Sequence, residues 1–202
     1  MTLKISNFKL SHPADQNILI DDLNLVANFG DIIGVIGPNG SGKTLFFDSI
    51  AGLNPSWNGN ITLNNKNIDL GAISYSVQDL NNSFFTETVE EEIIFNLQNI
   101  DTIFTLEQII ADLNFLGIDY ENIKKLSPYA LSSIEYKILM FTLSLLKPHK
   151  IRLIDELDSG MLLDTKNKLS QFLNRERENI ITLVISHDKI FFENLCSKIV
   201  KF

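Results

Sequence analysis

The sequence predicts an α/β fold in one compact domain, and three observations predict it. Short β-type apolar runs stand at both ends of the chain, among them Ile32 to Ile36, Ile151 to Ile154 and Ile180 to Ile185. A glycine-rich stretch separates the first of these runs from a helical pattern. Between about 85 and 146 the apolar spacing turns helical, which marks a helical lobe inserted into the α/β core.

The elements follow in order. Leu3 to Leu10 and Leu23 to Asn28 alternate polar and apolar residues and read as strands, separated by a turn-rich segment from His12 to Asn17. Ile32 to Ile36 is a continuous apolar strand, and a helix runs from Lys43 to Leu53, ended by Gly52-Leu53-Asn54-Pro55. Asn60 to Leu63 and Ile73 to Val77 supply two further strands. Helical spacing then joins Val89, Ile93, Phe95 and Leu97, next Leu106, Ile109, Ile110, Leu113 and Leu116, and last Ile134, Ile138, Leu139 and Phe141. A polar helix over Asp164 to Glu178 separates the two late strands, and Ile199 to Phe202 is expected to close the sheet.

Composition narrows the function. The 202 residues are 45% hydrophobic, enough to fill a core. With 25 acidic residues against 17 Lys and Arg, the net charge of -8 has the wrong sign for tracking a phosphate backbone, so nucleic acid is not expected as a partner. The single Cys196 cannot form an internal disulfide, which fits a cytoplasmic site. The N-terminus alternates like a strand and lacks the unbroken apolar stretch of a secretory signal, so no export is expected. The longest apolar runs fall well short of the roughly 20 residues of a membrane-spanning helix. A membrane link would therefore come through a partner.

Gly37-Pro38-Asn39-Gly40-Ser41-Gly42-Lys43-Thr44 fits G-x-x-x-x-G-K-[ST], the P-loop or Walker A pattern, with a strand before it and a helix after it. The glycines let backbone N–H groups turn inward around a β-phosphate, and the helix start adds its positive end. Lys43 supplies a charge to the β- and γ-oxygens, and the Thr44 hydroxyl can ligate Mg²⁺. Ile151-Arg152-Leu153-Ile154-Asp155-Glu156 is an apolar strand ending in two acids. The first carboxylate can reach Mg²⁺, and the second can orient or deprotonate an attacking water.

Further motifs in order along nearly the whole chain resemble the ABC (ATP-binding cassette) ATPases. Ser76-Val77-Gln78-Asp79 resembles the Q-loop, which implies that Gln78 reaches the Mg²⁺ or the lytic water. Thr88 to Ile93 looks like the stretch that opens the family's helical subdomain. Ser186-His187-Asp188 resembles the switch segment, whose histidine contacts the γ-phosphate. Those three neighbours cannot act as a serine-hydrolase triad, because adjacent side chains on an extended segment point to different sides. His12 stands where the family places an adenine-stacking aromatic ring, and its imidazole can stack, though an ordinary surface-loop histidine fits that position as well.

Other stretches depart from the family pattern. Where it has LSGGQ, the signature that faces the partner's ATP, this chain has Leu131-Ser132-Ser133-Ile134-Glu135. Ile134 puts a branched side chain where glycine permits close approach, and Glu135 adds negative charge beside phosphate. Asp155-Glu156-Leu157-Asp158-Ser159-Gly160-Met161-Leu162 lacks the usual proline after the glutamate and has Leu162 in place of an aspartate. Leu45 replaces a second hydroxyl residue after the P-loop.

The resemblance implies a P-loop NTPase, with a RecA-like core, an antiparallel β-subdomain and an inserted helical subdomain. Residues 1–84 and 147–202 would form the core with its β-lobe, and 85–146 the helical subdomain. It implies ATP and Mg²⁺ held by Lys43, Thr44 and Asp155, with Glu156 as general base and Gln78 and His187 completing the γ-phosphate shell. The expected partners are a second ABC ATPase subunit and an integral membrane transport subunit, with the chain peripheral on the cytoplasmic face of the membrane. Because the chain ends shortly after His187, no regulatory extension is expected. Two other readings remain open at this point. Asp155 to Gly160 also resembles the ATPase of the Suf iron–sulfur assembly machine, and the altered signature fits a weakly hydrolysing regulatory cassette in a heterodimer.

Overall fold

The computed structural model describes residues 1–12, 14, 17–76 and 84–202. A four-stranded antiparallel sheet is built from β1 (Thr2–Ser11), β2 (Ile18–Asn28), β4 (Trp57–Leu63) and the short β5 (Lys66–Asn67), in the order β2-β1-β4-β5. In β1 the apolar residues alternate as Leu3 and Ile5, slip by one, and resume as Phe8 and Leu10, all four buried. The slip is accommodated by a register shift on both neighbouring strands, with Asn7 at φ 50, a left-handed conformation that asparagine tolerates.

The second sheet has five strands, all paired parallel, in the order β6-β7-β8-β3-β9. They are β3 (Ile32–Ile36), β6 (Ile73–Ser76), β7 (Ile151–Asp155), β8 (Ile181–Ile185) and β9 (Lys198–Lys201). The central strands β3, β7 and β8 are buried on both faces, which is why they read as unbroken apolar runs. One face, with Ile33, Val35, Leu153 and Leu183, shares a core with the antiparallel sheet and α1 (Lys43–Ile50), which contributes Phe46, Phe47 and Ile50. The other face, with Ile154 and Val184, packs against the helices.

Those helices are α2 (Val89–Asn99), α3 (Leu106–Phe115), the single turn α4 (Tyr120–Ile123), α5 (Ser133–Ser144), α6 (Leu163–Arg175) and α7 (Lys189–Leu195). Capping boxes set the starts of three of them, through Thr88 with Glu91, Thr105 with Gln108, and Ser132 with Glu135. Helix α7 lies so close under β3 that a Cβ on Gly34 would stand 2.6 Å from Phe192 Cδ1, so only glycine fits in the strand there.

Several boundaries differ from the expectations. Helix α1 ends at Ile50 rather than Leu53, because Ala51 caps it and Gly52 turns the chain away at φ 75. Strand β2 begins five residues earlier than expected, at Ile18, and pairs as far as Ser11 of β1. Helix α6 spans Leu163–Arg175 rather than Asp164 to Glu178, and α7 was not anticipated. Strand β9 joins the five-stranded sheet as expected, at its edge beside β3, but spans Lys198–Lys201 rather than Ile199 to Phe202. Val77, the expected end of β6, lies outside the described residues. No helix among the described residues is long and apolar enough to cross a membrane.

Candidate functional site

The loop after β3 delivers the chain into α1 with no side-chain cap, so the first N–H groups of the helix stay open to another acceptor. Gly42, at φ 94, makes the turn into α1, and a Cβ there would meet Leu10 and Leu19 at 3.2 Å. Lys43 is buried and folds back on the loop, donating from Nζ to the carbonyl oxygens of Gly37 at 2.9 Å and Pro38 at 3.0 Å. Ser41 Oγ is buried without a hydrogen-bond partner among the described residues.

Across the sheet, the Thr44 hydroxyl donates to Asp155 Oδ2 at 2.8 Å, while Asp155 Oδ1 is buried without a partner among the described residues. Burial raises the Asp155 carboxyl above its ordinary range, and the Thr44 hydrogen bond works against that rise. An oxygen so placed, beside a threonine hydroxyl and a lysine ammonium, suits a hard cation that would supply its missing partner. The orphaned Ser41 Oγ and the uncapped helix start suit phosphate oxygens in the same way. The residues present therefore fit Mg²⁺ and a nucleotide.

Glu156 directly follows β7 and holds φ 49, a conformation that costs a non-glycine residue on the order of 1–3 kcal/mol. Its N–H donates to the Ile185 carbonyl at 3.0 Å, which ties it to the end of β8. His187, just beyond β8, places Nε2 2.9 Å from Glu156 Oε1. A cavity of about 500 Å³ is lined by Lys43, Thr44, Leu45, Glu156 and His187 together with Asn39, Gly40 and Gly42. His12 and Leu19 line the same cavity. Gln78 lies outside the described residues.

Ser186 and Asp188 serve a separate network, as the alternation of an extended segment requires. Ser186 Oγ donates to Asp158 Oδ2 at 2.7 Å and accepts from the Asp188 N–H at 2.9 Å. Lys166 Nζ reaches Asp188 Oδ2 at 2.6 Å and Asp158 at 3.8 Å. Lys137 of α5 donates to the Ser159 carbonyl at 3.0 Å and to that of Glu156 at 3.4 Å, joining α5 to the loop after β7. Neither lysine was singled out from the sequence. Both partnerships span many residues and leave no local pattern.

The signature stretch has its own structural logic. Ser132 Oγ accepts from the Glu135 N–H at 3.3 Å, and Glu135 Oε2 accepts from the Ser132 N–H at 2.8 Å. The Glu135 carboxylate is thus turned to the helix start of its own chain. Leu131 and Ile134 are half-buried against the helical core, while Ser132 and Ser133 are exposed. Leu162 occupies the N-cap of α6 without any side-chain cap. An aspartate, which the family carries at that position, is a strong capping residue.

The model of the ABC transporter family matches residues 20–159. The zinc import ATP-binding protein ZnuC of Wolbachia pipientis is 29% identical over 189 residues, which cover 92% of this chain and 73% of that protein. The energy-dependent translational throttle protein EttA of Escherichia coli is 30% identical over 207 residues, covering 99% of this chain but 34% of its own length. Relatives in Clostridium tetani and Bacillus cereus are likewise longer: this chain spans 41% and 34% of them. Among solved structures, cbiO1 of Clostridium perfringens, part of a cbiONQ transporter complex, superposes with a TM-score of 0.77 over 98% of this chain and 83% of that one, at 21% identity. A bacterial Atm1-family exporter with ATP bound gives 0.83 over all of this chain and 36% of that one, at 16% identity. At these identities the likeness is one of fold.

Proposed function

This chain belongs to the ABC transporter family, and from that premise we propose that it is the ATP-binding and ATP-hydrolysing subunit that powers a membrane transporter through ATP-dependent dimerisation. The observation that carries the reading is the arrangement of Lys43, Thr44 and Asp155 around an uncapped helix start, with Ser41 Oγ and Asp155 Oδ1 buried and lacking partners. In this reading residues 1–84 and 147–202 are the nucleotide-binding core with its β-lobe, and 85–146 the helical subdomain.

Lys43 leaves the loop carbonyls to meet the β- and γ-phosphate oxygens, and His12 stacks on the base. Thr44 and Asp155, with Gln78, would hold Mg²⁺, which would neutralise charge on the phosphates. Glu156 accepts a proton from the attacking water as its oxygen bonds to the γ-phosphorus and the bond to the β,γ-bridging oxygen breaks, giving ADP and phosphate. His187, within hydrogen-bonding distance of Glu156, orients that carboxylate and contacts the γ-phosphate. The partners are a second ABC subunit, whose ATP faces Ser132, and an integral membrane subunit at the cytoplasmic face.

A second reading, a weakly hydrolysing member of a heterodimer, is favoured by the self-capped signature stretch, whose Ser132 and Glu135 already bond each other. Affinity purification from native membranes tests the transporter assignment. A co-purifying polytopic protein supports it, and recovery of soluble assembly proteins alone overturns it. Whether an accompanying ABC subunit is this chain or a different one separates the two readings.

A further inference from the structure

The N-terminal end of β7 carries an arginine that the nucleotide site does not use. Arg152 stands between Ser74 of β6 and Thr182 of β8 in the parallel register, on the sheet face that packs against the helices. It is 2% exposed. A buried guanidinium is costly unless a carboxylate neutralises it, and such residues are almost always paired. Arg152 is not. Its Nη1 is buried without a hydrogen-bond partner, its Nε–H donates to His149 Nε2 at 3.3 Å, and its guanidinium lies 6.0 Å from the centre of the Phe141 ring. The neighbouring Thr182 Oγ1, in register on β8, is also buried and lacks a partner among the described residues.

The surroundings explain why none of the described residues fills the gap. Arg152 lines a cavity of about 390 Å³ whose apolar walls include Phe104, Leu145, Leu146 and Phe172, with Lys147 and Lys150 also contributing. Two carboxylates line it as well, but each forms its ion pair with Arg175, at 2.8 Å from Asp112 and 2.8 Å from Glu176, and Glu176 offsets only part of the burial cost of Arg152 through space. His149 is held neutral: its Nδ1 lies 2.9 Å from the Lys147 carbonyl, and burial together with the charge of Arg152 lowers its pKa to about 4. It therefore accepts from Arg152 without neutralising it. The cavity volume falls within the range of small-molecule pockets, roughly 300–1,000 Å³.

We propose that this cavity binds a small organic anion, with a carboxylate paired to Arg152 and an apolar body laid against Phe104, Leu145, Leu146 and Phe172. A planar guanidinium with an unsatisfied Nη1 attracts a carboxylate, and a site built around a buried polar group discriminates strongly against a ligand that leaves it unpaired. This inference does not rest on the proposed transport role or on nucleotide binding.

The test uses the nucleotide-free protein, with octanoate and its neutral isostere octanamide as probes, followed by calorimetry and by NMR shift mapping. The expected result is at least tenfold tighter binding of octanoate, with shifts clustered at Phe104, Leu145 and Phe172. In Arg152→Met that preference should vanish while the amide still binds. Equal affinity for acid and amide, or no octanoate binding, overturns the proposal and leaves a buried water as the partner of Nη1. Shifts centred on the P-loop, or a preference unchanged in Arg152→Met, overturn it as well. If Arg152→Met does not fold, the comparison of the two probes on the wild-type protein decides alone.

Discussion

The P-loop and the stretch Leu131 to Glu135 both open a helix, yet they treat its free N–H groups in opposite ways. At α1 the capping residue is Gly42, with no side chain to offer, and the nearby Ser41 Oγ and Asp155 Oδ1 are left without partners. At α5 Ser132 and Glu135 close a capping box on themselves. A helix start left open gives up stability that an anion can restore, whereas one closed by its own residues is stable alone and keeps only a hydroxyl proton to offer. The first region leaves its donors open to a ligand. The second is built to fold.

The sharpest way to break this contrast is at Glu156, which directly follows the strand bearing Asp155. Glu156→Gln should lower steady-state phosphate release by roughly 10²–10⁴-fold, the usual weight of a general base, while ATP affinity changes little. Normal turnover in the variant would remove Glu156 from the chemistry.

The self-capped stretch is probed next by the triple change Ser133→Gly, Ile134→Gly and Glu135→Gln. Glutamine keeps the capping box, but two glycines inside the first turn should cost about 2 kcal/mol or less, a fall in Tm of several degrees by thermal melting. If the stretch limits the composite ATP site, the ATPase rate rises despite that loss. An unchanged rate in stable dimers would mean that Ser132 and the backbone suffice.

Asp155→Asn separates stability from function on the ligand-ready side. Because burial raises the native carboxyl pKa, folding favours the protonated form, so this group stabilises most at low pH and loses that contribution as pH rises through its native pKa. At neutral pH its charge is a cost. The asparagine variant should therefore melt higher than the wild type at pH 7 without nucleotide, the gap closing on acidification, while Mg²⁺-dependent hydrolysis is lost. A lower Tm at pH 7 would show that the charge is stabilising as it stands. The smallest effect is expected from Leu162→Asp, which supplies the missing cap of α6 and should add about 0.5–1 kcal/mol, measured by urea denaturation. No gain would mean that the α6 start is already satisfied.

Much of the site was legible because its motifs are local. Gly37 to Thr44 and Asp155-Glu156 declare themselves by residue type beside an apolar strand, and parallel strands buried on both faces read as apolar runs. Glu135 was legible only in part. As a charge beside phosphate it looked like a flaw, yet three residues after Ser132 it completes a cap, and which role prevails depends on where its carboxylate turns. Helix α7 is too short for helical periodicity to declare itself. Lys137 and Lys166 acquire their meaning from partners distant in sequence, and Arg152 from an Nη1 left without a partner among the described residues, and no spacing rule exposes that.

The central claim, that the loop from Gly37 to Thr44 is completed by a nucleotide, is tested most directly by calorimetric titration of Mg-ATP into the wild-type protein and into Lys43→Ala. The wild type should bind, and the variant, which loses the ammonium that now rests on the Gly37 and Pro38 carbonyls, should bind at least severalfold more weakly. Equal ATP affinity in a folded Lys43→Ala protein would contradict the account.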